Sequence, residues 1–299
     1  MNNVKLNQLR YFEAVAQQGH FGRAADICSI SQPALSMQIK ELETTLGIAL
    51  FERGTRTVRL TQAGEELLPR VRDILQSVDE LTDVARAAQK TLTGRLRLGV
   101  IPTIAPYLLP RIIGDLSRMA PDLDIHVRET MTQRLLQELS AGRIDAAIVA
   151  LPVSEPTLVE VPLFSEDFVL VRPLQDSATA VPSRENLREM RLLLLEEGHC
   201  FRDQALAFCN IGTTRTRELL DGSSLSTLVQ MVGAGIGLTL IPEMAVDVET
   251  RSAAVAIARF PDPQPSRQIG MIWRKTTPLD KQLRQIADLV RNVGMFRQV

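Results

Sequence analysis

The chain has 299 residues, of which 45% are hydrophobic, enough to fill the cores of about two domains of ordinary size; a disordered chain or a single small module is thereby excluded. Its 34 Lys and Arg against 35 Asp and Glu give a formal net charge of -1, so any nucleic-acid surface must be local. Three cysteines do not suit a secreted disulfide scaffold, and the opening stretch MNNVKLNQLRYF lacks the apolar core of a signal peptide. We therefore expect a cytoplasmic protein with reduced thiols and no membrane contact.

The first 46 residues predict three short helices that pack on one another. Apolar side chains recur at helical spacing in three stripes, namely Leu6, Leu9, Phe12 and Val15, then Phe21, Ala24, Ala25 and Ile27, then Leu35, Ile39, Leu42 and Leu46. Between the second and third stripes, Ser31 is a favourable N-cap and Pro33 suits a first helical turn. This junction is typical of a helix-turn-helix.

The third helix has an outer face that suits a DNA major groove. If its apolar stripe points inward, the residues facing outward are Pro33, Ser36, Met37 and Lys40. Charge for phosphate contacts follows in Arg53, Arg56 and Arg59, and alternation over 57–60 after Gly54 predicts a small hairpin or wing. The alternative is a small helical domain whose arginines are merely solvated.

A long helix is predicted from about Gln62 to Gln89. Apolar residues recur along it in steps of four and three, namely Leu67, Val71, Ile74, Val78, Leu81, Ala85 and Ala88. This period favours a two-stranded coiled coil and hence a homodimer formed through residues 62–89. The stretch 90–94 reads as a linker.

From Arg95 onward, strand and helix patterns alternate. Strands are expected at RLRLGVIPT, DIHVRET, DAAIVAL, FVLVRP, RLLLLEE, GLTLIP and QIGMIWR, with helices near 108–119, 132–142 and 279–290. This order is typical of an α/β fold with parallel sheet covered by helices, arranged as two lobes with a cleft between them. The predicted domains are a winged helix-turn-helix at 1–61, a dimerising linker helix and hinge at 62–93, and a two-lobed regulatory domain at 94–299.

Several kinds of chemistry do not fit the sequence. The glycines at 233, 235 and 237 follow a helix and precede a strand, the reverse of a dinucleotide-binding loop. The three histidines are scattered and no cysteines stand in pairs at zinc-ligand spacing, so we expect neither a metal nor another cofactor.

The segment GHCFRDQALAFC contains two cysteines whose surroundings favour redox chemistry. Cys200 follows a buried strand and precedes a predicted helix starting near Asp203, and a helix N-terminus favours a thiolate. An accessible thiolate oxidises to a sulfenic acid, and Cys209 is the nearby thiol that could condense with it. If the intervening residues are helical, the two sulfurs start too far apart to bond, so oxidation would have to remodel the segment. The alternative is that both are ordinary buried cysteines.

The sequence as a whole resembles the LysR-type transcriptional regulators. The resemblance is carried by RYFEAVAQQGHFGRAADICSISQPALSMQIKELETTLGIALFERGTRTVRLTQAGEELLP and by VGAGIGLTLIP. It implies a tetrameric DNA-binding regulator with a periplasmic-binding-protein-like effector domain that acts with RNA polymerase. It also implies that DNA is contacted by Gln32, Pro33, Ser36 and Lys40 of the recognition helix and by Arg53 and Arg56 of the wing.

Within that family, GHCFRDQALAFC and VIPTIAPYLLP are similar to the members that sense hydrogen peroxide. The similarity implies that Cys200 is the peroxidatic cysteine and Cys209 its resolving partner. It further implies a peroxide-binding and peroxide-activating set consisting of Thr103, Thr132, His199 and Arg267, supported by Asp203. Three features depart from the pattern or lack a match: Phe201 replaces a smaller aliphatic residue, the stretch 175–190 has no secure counterpart, and Cys28 has no assigned role.

The leading hypothesis is a non-enzymatic transcription factor that a disulfide between Cys200 and Cys209 switches on, activating antioxidant genes. One alternative is a LysR-type regulator gated by an organic inducer in the interlobe cleft, with incidental cysteines. The other is a thiol peroxidase, which would have no use for the DNA-binding and coiled-coil portions.

Overall fold

The computed structural model describes residues 4–52, 58–87, 92–209 and 220–295. The chain divides into two compact units, Met1–Ala85 and Arg86–Val299. Over the described ranges, no helix is both long enough and apolar enough to cross a membrane.

The first unit is built from the predicted helix-turn-helix. Its helices are α1 (Leu6–Gln18), α2 (Phe21–Ile27), α3 (Gln32–Leu46) and most of α4 (Gln62–Ala87). Ser31 caps α3, its Oγ accepting a hydrogen bond from the Ala34 backbone N–H at 3.4 Å, and Pro33 lies in the first turn, as predicted. Phe12 of α1, Ala24 of α2 and Leu35 of α3 are fully buried in one shared core.

The base of the predicted wing is present. Phe51 and Leu60 form an antiparallel bridge, and the Glu52 N–H donates to the Arg59 carbonyl at 2.9 Å. The wing residues Arg53 and Arg56 lie outside the described residues.

The apolar residues predicted to form one coiled-coil seam along α4 lie in two different environments. Val71 is buried in the core of the first unit and Leu67 packs against it, whereas Ile74 and Leu81 are 48% and 71% exposed. The prediction of one uniform seam is therefore wrong at its N-terminal end, because those residues are needed to close the core of their own domain. Ala88 lies outside the described residues.

The second unit contains a mixed sheet. Its strands are β1 (Gly94–Val100), β2 (Leu123–Glu129), β3 (Ala146–Leu151), β4 (Leu158–Pro173), β5 (Leu192–Leu195), β6 (Leu220–Gly222), β7 (Leu238–Pro242), β8 (Val255–Ala258) and β9 (Ser266–Arg274). The order is β2-β1-β3-β9-β4-β7-β5-β6, with β8 also on β4. Pairing is parallel among β1, β2 and β3 and between β5 and β7, as predicted; β5 also pairs parallel with β6, a short strand that was not predicted.

The prediction of a parallel sheet is wrong for β4 and β9. These two strands pair antiparallel with each other, and each is also antiparallel to its other neighbours. The reason lies in chain connectivity: β4 carries the chain from the β1–β3 lobe to the β5–β7 lobe, and β9 brings it back alongside. The two lobes are thus joined by a pair of crossing strands that the alternating pattern did not reveal.

Helices cover the strands of both lobes. They are α5 (Ala105–Met119), α6 (Thr132–Ser140), α7 (Arg184–Leu187), α8 (Cys200–Cys209), α9 (Leu225–Gly233), α10 (Val246–Glu249) and α11 (Asp280–Met295). Strands β3, β5 and β7 are apolar apart from Thr239 and almost wholly buried. The parallel strands β5 and β7 begin at one end of their lobe, and β5 leads at the other end into the turn before Cys200.

Candidate functional site

Cys200 is the first residue of α8 and follows a turn that contains Gly198. Gly198 has φ +98°, a left-handed conformation that L side chains rarely adopt, and a Cβ there would lie 2.8 Å from Met131 Sδ. The turn before Cys200 is therefore packed directly against the start of α6. Met131 immediately precedes Thr132, so this contact brings the region of Thr132 close to the cysteine turn.

Cys200 and Cys209 occupy the two ends of α8, and both thiols are free. Nine steps at about 1.5 Å each separate their Cα atoms by about 13 Å, whereas a disulfide requires about 7 Å or less. The helix predicted from about Asp203 is thus present but begins three residues earlier, at Cys200, and a bond between the cysteines requires α8 to unwind.

The two thiols have different surroundings. Cys200 is half-buried, while Cys209 has no exposed surface, and burial raises the pKa of the Cys209 thiol to about 11. Arg184 and Arg188 oppose that rise. In this conformation Cys209 is a protonated core thiol.

The C-terminal end of α8 is held by α7 and by an aromatic pair. Arg188 Nε donates to the Cys209 carbonyl at 3.0 Å, and the Arg184 guanidinium lies 4.5 Å from the ring centroid of Phe208. Phe208 in turn packs edge-on against Phe260 with centroids 5.0 Å apart. These contacts must be released before Cys209 can move.

Arg267 is a buried cation held by several contacts. Its side chain has no exposed surface and donates from Nε to Glu166 Oε2 at 2.8 Å, from Nη1 to Thr103 Oγ1 at 2.8 Å and from Nη2 to the Thr103 carbonyl at 3.1 Å. The guanidinium also lies 5.3 Å from the ring centroid of Phe201, the residue after Cys200. Arg267 therefore joins the start of α5, the crossing strands and the first turn of α8.

Glu166 is the buried partner of Arg267, and it was not predicted from the sequence. Its Oε2 receives Arg267, and its Oε1 accepts the Met244 backbone N–H at 3.1 Å. It lies opposite Arg267 in the register of β4 and β9. A sequence separation of 101 residues gave no local signal for this pairing.

A polar cleft of about 380 Å³ lies between the two lobes. Thr103 and His199 both line it, and Met131 does as well. Burial lowers the pKa of His199, with Glu196 acting in the opposite direction, so the imidazole is neutral near pH 7. Thr132 Oγ1 is buried and, among the described residues, has no hydrogen-bond partner.

Only some of the predicted peroxide-site residues line the cleft. Asp203 is exposed in the first turn of α8, and neither it nor Cys200, Thr132 or Arg267 is among the residues that line the cleft. Arg267 is joined to the cleft residue Thr103 by hydrogen bonds, so the structure brings Thr103, His199 and Arg267 together, with the start of α6 beside them.

A second polar cluster in the cleft was also missed from sequence. The Tyr107 hydroxyl donates to Glu249 Oε1 at 2.6 Å and the Ser226 hydroxyl to Oε2 at 2.5 Å, so one carboxylate joins α5 of the first lobe to α9 and α10 of the second. Burial, together with Glu249, raises the pKa of Tyr107, which stays a hydrogen-bond donor. The partners are 142 residues apart in sequence.

The face of α3 that was predicted to point outward is exposed. Gln32, Pro33, Ser36 and Lys40 are exposed, as is Met37 with 63% of its surface, while Leu35 and Ile39 point into the core. The short polar side chains leave a shallow helical surface of the kind that fits a major groove. Together, the winged helix-turn-helix and the two-lobed α/β unit define a DNA-binding regulator with a separate signal-receiving domain.

Family models match both parts of the chain. The model described as bacterial regulatory helix-turn-helix protein, lysR family, matches residues 6–65, and the LysR substrate binding domain matches residues 89–294. The chain belongs to the LysR family of transcriptional regulators.

Two similar proteins carry names that refer to hydrogen peroxide or to OxyR. The chain is 45% identical to a probable hydrogen peroxide-inducible genes activator of Streptomyces viridosporus, covering 96% of this chain and 93% of that protein. It is 40% identical to the DNA-binding transcriptional dual regulator OxyR of Escherichia coli, covering 96% and 95%.

The chain is also similar to solved structures of OxyR proteins. A full-length OxyR variant from Pseudomonas aeruginosa matches with a TM-score of 0.74 and 37% identity, covering 97% of this chain and 95% of that one. A hydrogen peroxide-bound OxyR mutant from Corynebacterium glutamicum matches with a TM-score of 0.68 and 37% identity, covering 98% and 93%.

Proposed function

We propose that this protein is a hydrogen peroxide-responsive transcriptional activator in which Cys200 is the sensor and Cys209 the resolving thiol. The observation that carries the proposal is the placement of Arg267, a buried cation held by Thr103 and Glu166 and lying against Phe201 beside Cys200. The similarity to OxyR proteins supports the same assignment.

The chemistry consumes one peroxide per disulfide. The Cys200 thiolate attacks one peroxide oxygen, the O–O bond breaks, and the departing hydroxide takes up a proton and leaves as water. The Cys209 thiol then attacks the sulfenic sulfur, and the hydroxyl group leaves as a second water. Two thiols are oxidised by two electrons in total, and the peroxide is reduced to two waters.

Arg267 has a donor left for this reaction. Its Nε and Nη2 face Glu166 and the Thr103 carbonyl, and Nη1 donates one of its two N–H groups to Thr103 Oγ1, so over the described residues the second N–H of Nη1 is left for a further acceptor. A cation fixed before the reaction stabilises negative charge that develops as the O–O bond breaks. Thr103, Thr132 and neutral His199 offer hydroxyl and imidazole groups to hold peroxide, and Asp203 is assigned an outer supporting role.

Disulfide formation changes how the protein binds DNA because it remodels α8. Because the bond cannot form across an intact α8, oxidation selects a different conformation of the second unit. In the proposal, the regulator is a dimer joined through residues 62–89, further paired into a tetramer, that binds promoter DNA and engages RNA polymerase. The exposed Ile74 and Leu81 support the dimer, since solvent-exposed apolar residues at heptad spacing favour a partner helix. As chromosomal DNA is the target, we assign the protein to the cytoplasm.

The test compares Cys200→Ser with Cys28→Ser as a matched control. Promoter DNA selected by the reduced full-length protein is footprinted before and after peroxide. We expect Cys28→Ser to show a changed footprint after peroxide, and Cys200→Ser to bind the same DNA with no change. A changed footprint in Cys200→Ser would contradict the assignment.

The interlobe cleft supports a second candidate, a regulator gated by an organic inducer. Its hydroxyl groups and the Glu249 carboxylate could receive a small polar molecule. Calorimetric titration with candidate metabolites distinguishes the two: saturable binding that changes DNA affinity in a chain lacking both Cys200 and Cys209 favours the inducer. A thiol peroxidase would instead show continuous peroxide turnover with a reductant.

A further inference from the structure

A second cavity, of about 610 Å³, lies at the end of the second lobe where β5 and β7 begin and β4 ends. We call it the distal cavity; it is lined by Arg172, Val181, Asn186, Met190 and Arg191, among others. We propose that the distal cavity binds small amphipathic carboxylates, molecules with one carboxylate and a short apolar tail. It is separate from the interlobe cleft, which opens near the opposite end of β5.

Arg172 gives the distal cavity a positive charge without an internal counterion. It is 8% exposed and donates to the Thr179 carbonyl, the Thr179 hydroxyl and the Ser177 carbonyl at 2.8 to 2.9 Å, all neutral oxygens. Over the ranges that the structure describes, no carboxylate lies within ion-pair distance of it, and its Nε has no acceptor. Buried cations in proteins are normally paired with an anion.

The rim of the cavity supplies a directly accessible cation. Arg191 is exposed at the start of β5, and among the lining residues Asp176 is the one carboxylate. Two guanidinium groups against one carboxylate leave a net positive site. A ligand carboxylate near Arg191 and Asn186 would accept charge-assisted hydrogen bonds and lie in the field of Arg172.

Apart from Gln175 and Thr179, the rest of the wall is apolar and suits a hydrocarbon tail. Pro173, Val181, Pro182 and Leu238 line the cavity together with Met190, which is 44% exposed. Covering such a surface gains free energy in proportion to the apolar area removed from water. The combination of apolar wall and guanidinium rim favours an amphipathic acid over a sugar phosphate or a fully polar anion.

Helix α7 connects the distal cavity to the resolving cysteine. Asn186 of α7 lines the cavity, while Arg184 of the same helix stacks on Phe208 and Arg188 just after it holds the Cys209 carbonyl. A ligand that stabilises the position of α7 therefore also stabilises the C-terminal end of α8. Bound carboxylate should slow the opening that exposes Cys209. Binding itself does not depend on the proposed function, whereas any effect on the peroxide response does.

The experiment titrates reduced full-length protein with octanoate by calorimetry, with 1-octanol as the uncharged probe of equal length. Arg191→Glu reverses the rim charge, and Ala180→Phe fills the cavity from an exposed lining position. Arg251→Glu changes an exposed arginine of the same unit outside the cavity lining. We expect saturable octanoate binding, weakened about tenfold or more by Arg191→Glu and by Ala180→Phe, and within about twofold of wild type for Arg251→Glu.

A second readout follows the Cys209 thiol without any peroxide. The rate of Cys209 alkylation by N-ethylmaleimide, measured by peptide mass spectrometry, should fall severalfold at saturating octanoate. No saturable binding, equal binding of 1-octanol, or binding untouched by both cavity variants would overturn the carboxylate site. Binding with an unchanged Cys209 rate would overturn the link to α8. Since neither readout uses peroxide, failure here is distinguishable from failure of the proposed sensor chemistry.

Discussion

Glu166 and Arg267 face each other across the antiparallel strands β4 and β9, and their side chains form an almost fully buried ion pair with 2.7 Å between Oε2 and Nη2. The pair fixes the guanidinium at the point where the crossing strands, Thr103 and Phe201 meet. A buried pair of this kind contributes little compared with a well-packed apolar core, but removing one partner leaves an uncompensated charge.

Glu166→Gln should therefore destabilise the second unit markedly. We expect a loss of about 3 kcal/mol in the free energy of unfolding, measured by urea denaturation. The double variant Glu166→Gln/Arg267→Gln should lose less than the sum of the two single variants, because neither charge is then left alone. Additive losses would show that the two side chains do not stabilise each other.

Arg267→Lys tests the role of the guanidinium fork in the reaction. Lysine keeps the charge but cannot donate hydrogen bonds to Glu166 and Thr103 in the planar arrangement of a guanidinium. We expect oxidation of the Cys200 thiol by peroxide to slow about 100-fold in stopped-flow measurements, with the circular dichroism spectrum unchanged. Arg251→Lys is the matched control and should react at the wild-type rate. An unchanged rate in Arg267→Lys would remove Arg267 from the reaction.

The buried Cys209 thiol predicts a specific loss of stability in alkali. Its pKa is raised in the folded state from the ordinary value of 9.0 to about 11, so between these values the unfolded chain loses the proton while the folded chain keeps it. Stability is thus retained below pH 9 and falls as pH rises towards 11, by at most about 3 kcal/mol from this group. Urea denaturation of reduced protein at pH 8 and pH 10.5 should show a steeper fall for wild type than for Cys209→Ala. Parallel falls would contradict the burial argument.

Ala207→Gly should speed the second chemical step and not the first. Ala207 is exposed within α8, and glycine costs a helix about 1 kcal/mol relative to alanine. Unwinding of α8 then becomes about fivefold easier, so condensation of the sulfenic acid with Cys209 should accelerate by about that factor. Quenched-flow trapping of the sulfenic acid separates the two steps. Ser117→Gly, at an exposed position of α5, is the control and should change neither; a wild-type condensation rate in Ala207→Gly would mean that unwinding does not limit the reaction.

The features predicted correctly from sequence depend on local signals. Ser31 and Pro33 set the start of α3, and hydrophobic runs predicted β1, β2, β3, β5 and β7 within a few residues of their observed bounds, whereas the three-residue β6 was not predicted. The helix between Cys200 and Cys209 also followed from its own residues. Short-range capping and periodicity are enough for these because the interactions span only a few residues.

The features that sequence reasoning missed depend on chain connectivity. The antiparallel β4 and β9, and with them the Glu166 to Arg267 pair, join residues about a hundred positions apart. The same holds for Tyr107 and Glu249, whose contact depends on how the two lobes close. The seam of α4 was misread at Val71 because an apolar stripe does not say whether it packs on its own domain or on a partner.

The most direct test of the sensor assignment is peptide mass spectrometry of reduced protein after a brief pulse of near-stoichiometric peroxide, with free thiols alkylated before digestion. The account predicts a crosslink between the Cys200 and Cys209 peptides while Cys28 remains alkylated. Full alkylation of both Cys200 and Cys209 after the pulse would contradict it.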